Sequence, residues 1–267
     1  MTPVADPRQL QVHRAPAQRD VPYVPTEPPV VAAMLRMAGV SESDTVYDLG
    51  CGDGRIAIAA ARLGARAVGI DIDLQRIKEC YWNAQKARLG ERLRFVRQSL
   101  FDVDFRDATV VTLYLLTTIN LRLRPKLLWE LRPGSRIVSN FFDMGDWQPD
   151  ATLETHGRTL HLWTVPAWVA GRWKCVVDSP AGREHVTLDV HHRFQHVWGT
   201  AKVGRRNVPI HDAKLRGNRL HFELPGLGAR ADSKRTSFDC CVDGNFLRGT
   251  YMPADGSPVR PWGGVHA

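Results

Sequence analysis

The sequence predicts a doubly wound α/β domain followed by a smaller all-β domain, and three observations carry that expectation. From Thr45 to Phe141 short apolar runs alternate with helical segments, the rhythm of a parallel sheet covered on both faces. The first apolar run, Thr45-Val46-Tyr47-Asp48-Leu49, passes directly into Gly50-Cys51-Gly52-Asp53-Gly54, a glycine turn that opens an Ala-rich helix. Beyond Pro166 no helical period remains. Short alternating runs such as Val186 to Val190, Leu220 to Leu224 and Phe238 to Val242 stand between turn signals at Ser179-Pro180-Ala181-Gly182, Arg216-Gly217-Asn218, Asp243-Gly244 and Asp255-Gly256, which predicts a small sandwich or barrel.

In chain order, residues 1–20 are polar, contain proline and lack periodicity, the pattern of a mobile arm. Val21-Pro22-Tyr23-Val24-Pro25-Thr26 is stiffened by its prolines, and Thr26 can cap a helix over about Pro28 to Ala38. The alternation then predicts strands at Thr45–Leu49, Ala67–Ile70, Leu93–Arg97, Thr109–Leu115 and Arg136–Phe141. Helices are expected at Ile56–Leu63, Leu74–Leu89 and near Arg124–Leu131. Runs at Ala151–Glu154 and Thr159–Val165, joined through His156-Gly157-Arg158, predict an antiparallel hairpin at the sheet edge. The α/β domain is therefore expected over 21–166 and the all-β domain over 167–267.

The glycine turn is where the chemistry is legible. A dinucleotide fingerprint wants Gly-x-Gly-x-x-Gly, and counting from Gly50 the third glycine falls on Arg55. The pattern present is Asp-x-Gly-x-Gly-x-Gly. An acid at the strand end repels a pyrophosphate but suits the ammonium of an amino-acid-like ligand, which points to S-adenosylmethionine (SAM). The next strand agrees: Arg66-Ala67-Val68-Gly69-Ile70-Asp71 ends on an acid seventeen residues beyond Gly54, near the spacing at which such an acid meets a ribose. Asp71 is expected in an exposed position where that strand leaves the sheet.

These two motifs resemble those of the class I, seven-stranded SAM-dependent methyltransferases, whose first motif reads much like Asp48-Leu49-Gly50-Cys51-Gly52-Asp53-Gly54. The resemblance implies a terminal antiparallel hairpin, SAM as cofactor, and a cofactor site on Asp48, Gly50, Cys51, Gly52, Gly54 and Asp71. It places the residue that meets the adenine just after the third strand, at Ser99 or at Asp102, with Leu100 beside Ser99. It also makes Tyr23 and Thr26 candidates for a lid over the cofactor, the alternative being a helix cap with a packed tyrosine.

The acceptor is narrowed by what is missing. Exocyclic base nitrogens call for an Asn/Asp-Pro-Pro-aromatic tetrad after the fourth strand, where this chain has Leu113-Tyr114-Leu115-Leu116; 5-methylcytosine formation needs a cysteine there, and catechol chemistry a carboxylate cluster for a metal. Nucleic acid and catechols recede as acceptors. Val21 to Thr26, the motif ending Asp53-Gly54-Arg55 and the spacing between them resemble the protein-lysine methyltransferases of archaea and mitochondria, which implies a protein substrate. A lysine amine must be neutral to attack, and an apolar recess lowers its pKa by desolvation. Tyr114, Leu115 and Leu116 are the candidates for that recess and Asn120 for orienting the amine, against the alternatives of Tyr114 as a packed strand residue and Asn120 as a helix cap. A small metabolite or lipid acceptor, and a SAM-binding scaffold whose β domain does the work, are the competing functions.

Composition sets the remaining bounds. With 43% hydrophobic residues in 267 the chain can form a sizeable core. The net charge of +8 is uneven: residues 1–150 hold 20 Lys and Arg against 18 Asp and Glu, net +2, and residues 151–267 hold 16 against 10, net +6. The basic residues of the second half are scattered through turns, as on a solvated surface. No apolar run of about 18 residues occurs and no signal-peptide block opens the chain, so a cytoplasmic protein away from membranes is expected. Five cysteines without Cys-x-x-Cys spacing read as reduced thiols. Of the histidines, His192 and His196 are expected to share a strand face, but no acid or cysteine recurs at ligand spacing, so no metal site is expected.

Overall fold

The computed structural model describes residues 23–179, 182–225, 235–254 and 256–267. The expected N-terminal arm lies outside them, as do Val21 and Pro22. The chain runs α1 (Pro28–Met37), β1 (Thr45–Leu49), α2 (Arg55–Arg62), β2 (Arg66–Asp71), α3 (Leu74–Ala87), β3 (Leu93–Arg97), β4 (Val110–Leu113), α4 (Thr117–Glu130), β5 (Arg136–Asn140), β6 (Ala151–Thr155) and β7 (Arg158–Thr164). These seven strands form one sheet in the order β3-β2-β1-β4-β5-β7-β6. The first five are parallel, and β7 runs antiparallel between β5 and β6. Strand order reverses between β1 and β4, and a crevice at the carboxyl ends of the strands opens at such a reversal.

Residue alternation decides which face each strand offers. Val46, Ala67, Val110, Val138 and Leu162 face a core shared with α1, α2 and α3. Tyr47, Leu49, Val68, Ile70, Val111 and Leu113 face the opposite core, which α4 closes with Ile119, Leu123 and Leu127. All five residues of β1 are buried, as the central strand of a doubly covered parallel sheet requires.

Three local expectations are corrected. The fourth helix starts at Thr117, about two turns before Arg124. Pro125 reads in sequence as a helix start, yet it sits inside the helix, which tolerates the one missing N–H. Thr26 does not cap α1: the N-cap is Glu27 without a side-chain bond, with prolines opening the helix. The fourth strand is four residues long, so Tyr114 and Leu115 already belong to the rim.

The second sheet has nine strands: β8 (Gly171–Ser179), β9 (Gly182–Arg193), β10 (His196–Val203), β11 (Arg206–Pro209), β12 (His211–Arg216), β13 (Arg219–Pro225), β14 (Arg235–Asp243), β15 (Phe246–Met252) and β16 (Arg260–His266). Its order is β11-β10-β9-β8-β16-β15-β14-β13-β12, every neighbouring pair antiparallel. The two edge strands are consecutive: β11 passes into β12 through Ile210, whose N–H extends the β10–β11 ladder to the Gly199 carbonyl, and β12 comes against β10, so the sheet curls into a near-barrel. Its interior holds Trp173, Phe222, Phe238 and Trp262, with Phe222 and Phe238 stacked at 4.9 Å. Gly249 is required there, because a Cβ would overlap the Asp239 carbonyl of the adjacent strand. His192 and His196 fall on different strands and opposite faces, His192 beside Val197 and His196 beside Arg193. Phe194, at φ 55, makes the turn that separates them.

That turn also joins the two sheets. Phe194 stacks on Trp147 at 5.6 Å, Asp146 takes ion pairs from both Arg124 and Arg193, and Gln195 donates to the Gln148 carbonyl. We place the domain boundary near Pro166, and the contact gives a test of it. A chain cut after Pro166 is expected to bind SAM in calorimetry while losing roughly 1–3 kcal/mol in chemical denaturation, the cost of uncovering the Trp147 face. A truncated chain that does not fold would mean that the two sheets share one cooperative core.

Candidate active site

The glycine turn after β1 is built from three left-handed residues, Gly50 (φ 77), Gly52 (φ 55) and Gly54 (φ 81). A side chain at Gly52 would strike the Tyr23 ring as well as strain the backbone. The turn is laced to β2: Gly50 and Cys51 N–H donate to the Ile70 carbonyl at 2.8 and 2.9 Å, and Gly52 N–H donates to Asp71 Oδ2 at 3.0 Å. Asp71 Oδ1 accepts the Asp73 N–H at 2.9 Å. Asp71 is thus half-buried and structurally engaged, which corrects the expectation of an exposed acid; burial raises its pKa, partly opposed by those two backbone donors. Asp73 Oδ1 accepts Gln75 N–H and caps α3.

Asp48 is the most perturbed acid of the site. It is 2% exposed, its Oδ1 accepts the Thr112 hydroxyl at 2.7 Å, and its Oδ2 has no partner among the described residues. Burial pushes its pKa up to about 7; the Thr112 bond works against that rise, and the neighbouring charge of Asp71 adds to it.

A strap lies over the turn. The Tyr23 ring rests against Gly52, and the Arg76 guanidinium stands 4.4 Å from the ring centre. Arg55 bridges the strap to the turn, donating to the Thr26 carbonyl at 2.8 Å and to Asp53 at 2.7 Å. Burial alone would raise Asp53, but the hydrogen bonds and charge of Arg55 hold it below the usual carboxylate range.

Between these parts runs one cleft. Tyr23 and Thr26 line one side, and Asp48, Gly50, Cys51, Gly52 and Asp71 form its floor. Ser99 and Leu100 stand beyond β3, and Tyr114, Leu115 and Ile119 close the far wall. Gly54 lies below the lining, as the N-cap of α2, and Asp102 does not reach it. Asn120 sits in the first turn of α4 rather than capping it. Its amide donates to the Phe142 and Asp143 carbonyls at 3.3 and 3.1 Å, and it does not line the cleft.

Sequence reasoning missed Arg55 and Arg76 as clamps of the strap, and Thr112 as the partner of Asp48. The signal for Thr112 was its place as the one polar residue in the buried run Val110-Val111-Thr112-Leu113. Among the described residues no three His, Cys, Asp or Glu side chains gather as a metal site, and no helix is long and apolar enough to cross a membrane. All five cysteines are free, Cys51 and Cys80 lying 3.7 Å apart. The donor set fits SAM: a buried carboxylate with one oxygen unpaired among the described residues suits an ammonium, the bare glycine backbone leaves room for the ligand, and Asp71 stands at the end of the adjacent strand.

The strand order, the acid before the glycine turn and the acid ending β2 together define a class I SAM-dependent methyltransferase. Residues 48–151 match the family described as the ANTKMT methyltransferase domain. The chain is 45% identical over 156 residues to a protein-lysine N-methyltransferase of Saccharolobus islandicus, across 58% of this chain and 96% of that protein. It belongs to this family of SAM-dependent methyltransferases. Similarity extends to the adenine nucleotide translocase lysine N-methyltransferase of Mus musculus, 33% identical over 141 residues, 52% of this chain and 61% of that protein. The match therefore spans about three fifths of that relative. Among solved structures, an RNA methyltransferase from Salinibacter ruber in complex with S-adenosyl-L-homocysteine is 50% identical, with a TM-score of 0.54, over 55% of this chain and 96% of that one.

Proposed function

We propose that this methyltransferase modifies the ε-amine of a lysine in a protein substrate. The observation that carries the reading is the 45% identity that spans nearly the whole archaeal protein-lysine methyltransferase. The cleft supports it: its far wall of Tyr114, Leu115 and Ile119 is apolar but for one phenol, a surface on which a lysine amine loses its proton more readily than in water.

SAM, when bound, supplies an electrophilic methyl group on a sulfonium. The chain's own residues bind, align and exclude water. Asp48 meets the ammonium of the cofactor's amino-acid end through its unpaired oxygen. Asp71 accepts from the ribose hydroxyls, and the Gly50-to-Gly54 turn gives its backbone to the ligand, with Cys51 packed beneath. Ser99 and Leu100 border the adenine. Tyr23 and Thr26 form the strap that Arg55 and Arg76 hold closed, and Tyr114 faces the acceptor. Asn120 acts through the 142–143 turn it holds rather than by touching the amine. The five free thiols support a cytoplasmic location.

A second acceptor class, RNA, is favoured by one observation, the 50% identity to the Salinibacter RNA methyltransferase. One experiment separates them. The full chain is incubated with methyl-labelled SAM and whole lysate, and the label is then followed through protease, nuclease and small-molecule fractions. Label released only by protease, and recovered as methyllysine after hydrolysis, is the expected result. Label that nuclease releases would replace lysine with RNA, and label in the small-molecule fraction would point to a metabolite.

A further inference from the structure

One hairpin turn of the β domain bears on the acceptor side of the cleft. Phe194, between β9 and β10, holds φ 55, a conformation that costs a bulky residue energy and persists only where its surroundings enforce it. They do so here through the stack on Trp147 at 5.6 Å, with the Arg124 guanidinium 5.2 Å from the Phe194 ring centre. Beside it, Arg193 and Arg124 share the Asp146 carboxylate. The hairpin therefore holds residues 146 and 147 together with the middle of α4.

Those residues belong to the segment between β5 and β6, which is tied to the cleft wall along its length. Arg124 Nη1 donates to the Met144 carbonyl at 2.7 Å, and the Asn120 amide donates to the carbonyls of Phe142 and Asp143. Gly145, at φ 65, lies so close to α4 that a Cβ would overlap the Leu121 side chain. Asn120 follows Ile119, which lines the cleft, and the Phe142 ring stands 6.0 Å from the ring of Tyr114, which lines it too. The bonds of the glycine turn run instead to β2 and α3: Gly50 and Cys51 to Ile70, Gly52 to Asp71, and the Gly52 carbonyl to the Cys80 thiol. The hairpin thus bears on the far wall and not on the cofactor floor.

We propose that the β domain positions the acceptor wall: Phe194, with Arg193, holds the 142–147 segment so that Tyr114 and Ile119 stand where the acceptor must approach the methyl group. This rests on the reading of that wall as the acceptor side. Methyl transfer is an in-line displacement, so a wall displaced by about 1 Å can cost up to about a hundredfold in rate while SAM binding stays as it was. Phe194 is a positioning residue, since it acts through Trp147 and the segment behind it.

The test uses the full chain with methyl-labelled SAM and whole lysate, total label being counted first and its destination afterwards. Phe194→Ala should lower turnover at saturating SAM at least about fivefold, while KM for SAM stays within about twofold of the parent. With S-adenosylhomocysteine bound, amide exchange of residues 119–120 and 142–147 should quicken by at least about threefold, and residues 50–54 should keep the parent's rate. Phe194→Tyr keeps the ring and should restore both. Trp198→Ala removes an exposed ring of the same hairpin, one stacked on His191, and should change neither. Where Phe194→Ala does not fold, Phe194→Leu keeps most of the buried volume without the aromatic stack and gives the same comparison. Parent-like turnover without the ring, exchange that quickens equally at residues 50–54, an equal loss in Trp198→Ala, or no label transfer by the parent would overturn the proposal. The destination of the label tests the lysine reading separately: label released by nuclease would remove lysine and leave the positioning of the wall standing.

Discussion

Asp48→Asn is expected to abolish the rise of SAM affinity with pH below 7 and to make the ligand-free protein more stable above pH 7. The carboxyl's folded pKa of about 7 lies above its unfolded value of about 3.9. The native state therefore holds the proton more tightly than the unfolded chain. Unfolding free energy falls as pH rises from about 4 to about 7 and is level beyond, with a total penalty on the order of 4 kcal/mol at most. Asparagine keeps the bond from Thr112 and removes that charge, so the variant should unfold at higher denaturant above pH 7 and match the parent near pH 4. Binding has the opposite sign. A cationic amine prefers the ionised acid, so the parent's affinity should climb by up to about tenfold per pH unit below 7. It should decline again as the ligand's own amine deprotonates near pH 8. The variant should lose at least about tenfold at pH 7.5 and show only the decline. Calorimetry in two buffers of different ionisation enthalpy reads the proton release directly. A parent affinity flat from pH 5.5 to 7.5 would remove Asp48 from the ammonium site.

The parts of the site that could be read from sequence are those where one residue type has one physical use. Three left-handed glycines cannot be replaced without strain, and an acid inside a fully buried central strand has no bland role, so Gly50, Gly52, Gly54 and Asp48 announced themselves. The sheet was legible for the same reason, since its strands are short apolar runs between helices of ordinary length. What escaped depends on residues distant in sequence. Thr112 meets Asp48 only because β4 lies beside β1, and Arg55 reaches Thr26 only because the strap folds back over the turn. The start of α4 was obscured by Pro125, whose local signal is outweighed by packing of Ile119, Leu123 and Leu127 against the sheet. The closure of the second sheet had no sequence signal either: it rests on the edge strand β12 coming against β10.

Asp71 and Asp73 stand two residues apart and both carry a carboxylate beside the cleft, so they separate ribose recognition from charge in general. Asp71→Ala removes the acceptor of the Gly52 and Asp73 N–H groups, which loosens the glycine turn as well as deleting the ribose contact. SAM affinity should fall at least about tenfold, because a charge-assisted hydrogen bond in a partly dry site is worth about 1.5–3 kcal/mol. Stability should fall as well, by about 1–3 kcal/mol, because backbone donors are left unpaired. Asp73→Ala removes the cap of α3, which accepts Gln75 N–H at 2.9 Å, and should cost about 1 kcal/mol of stability. Its SAM affinity should stay within about threefold of the parent, since its carboxylate is engaged with the helix. Asp71→Asn completes the set: the amide oxygen still accepts one backbone N–H, so stability should recover in part while affinity stays low. Calorimetry and chemical denaturation on the three variants measure both axes, and equal affinity losses at 71 and 73 would mean that general charge, not a ribose site at the end of β2, governs binding.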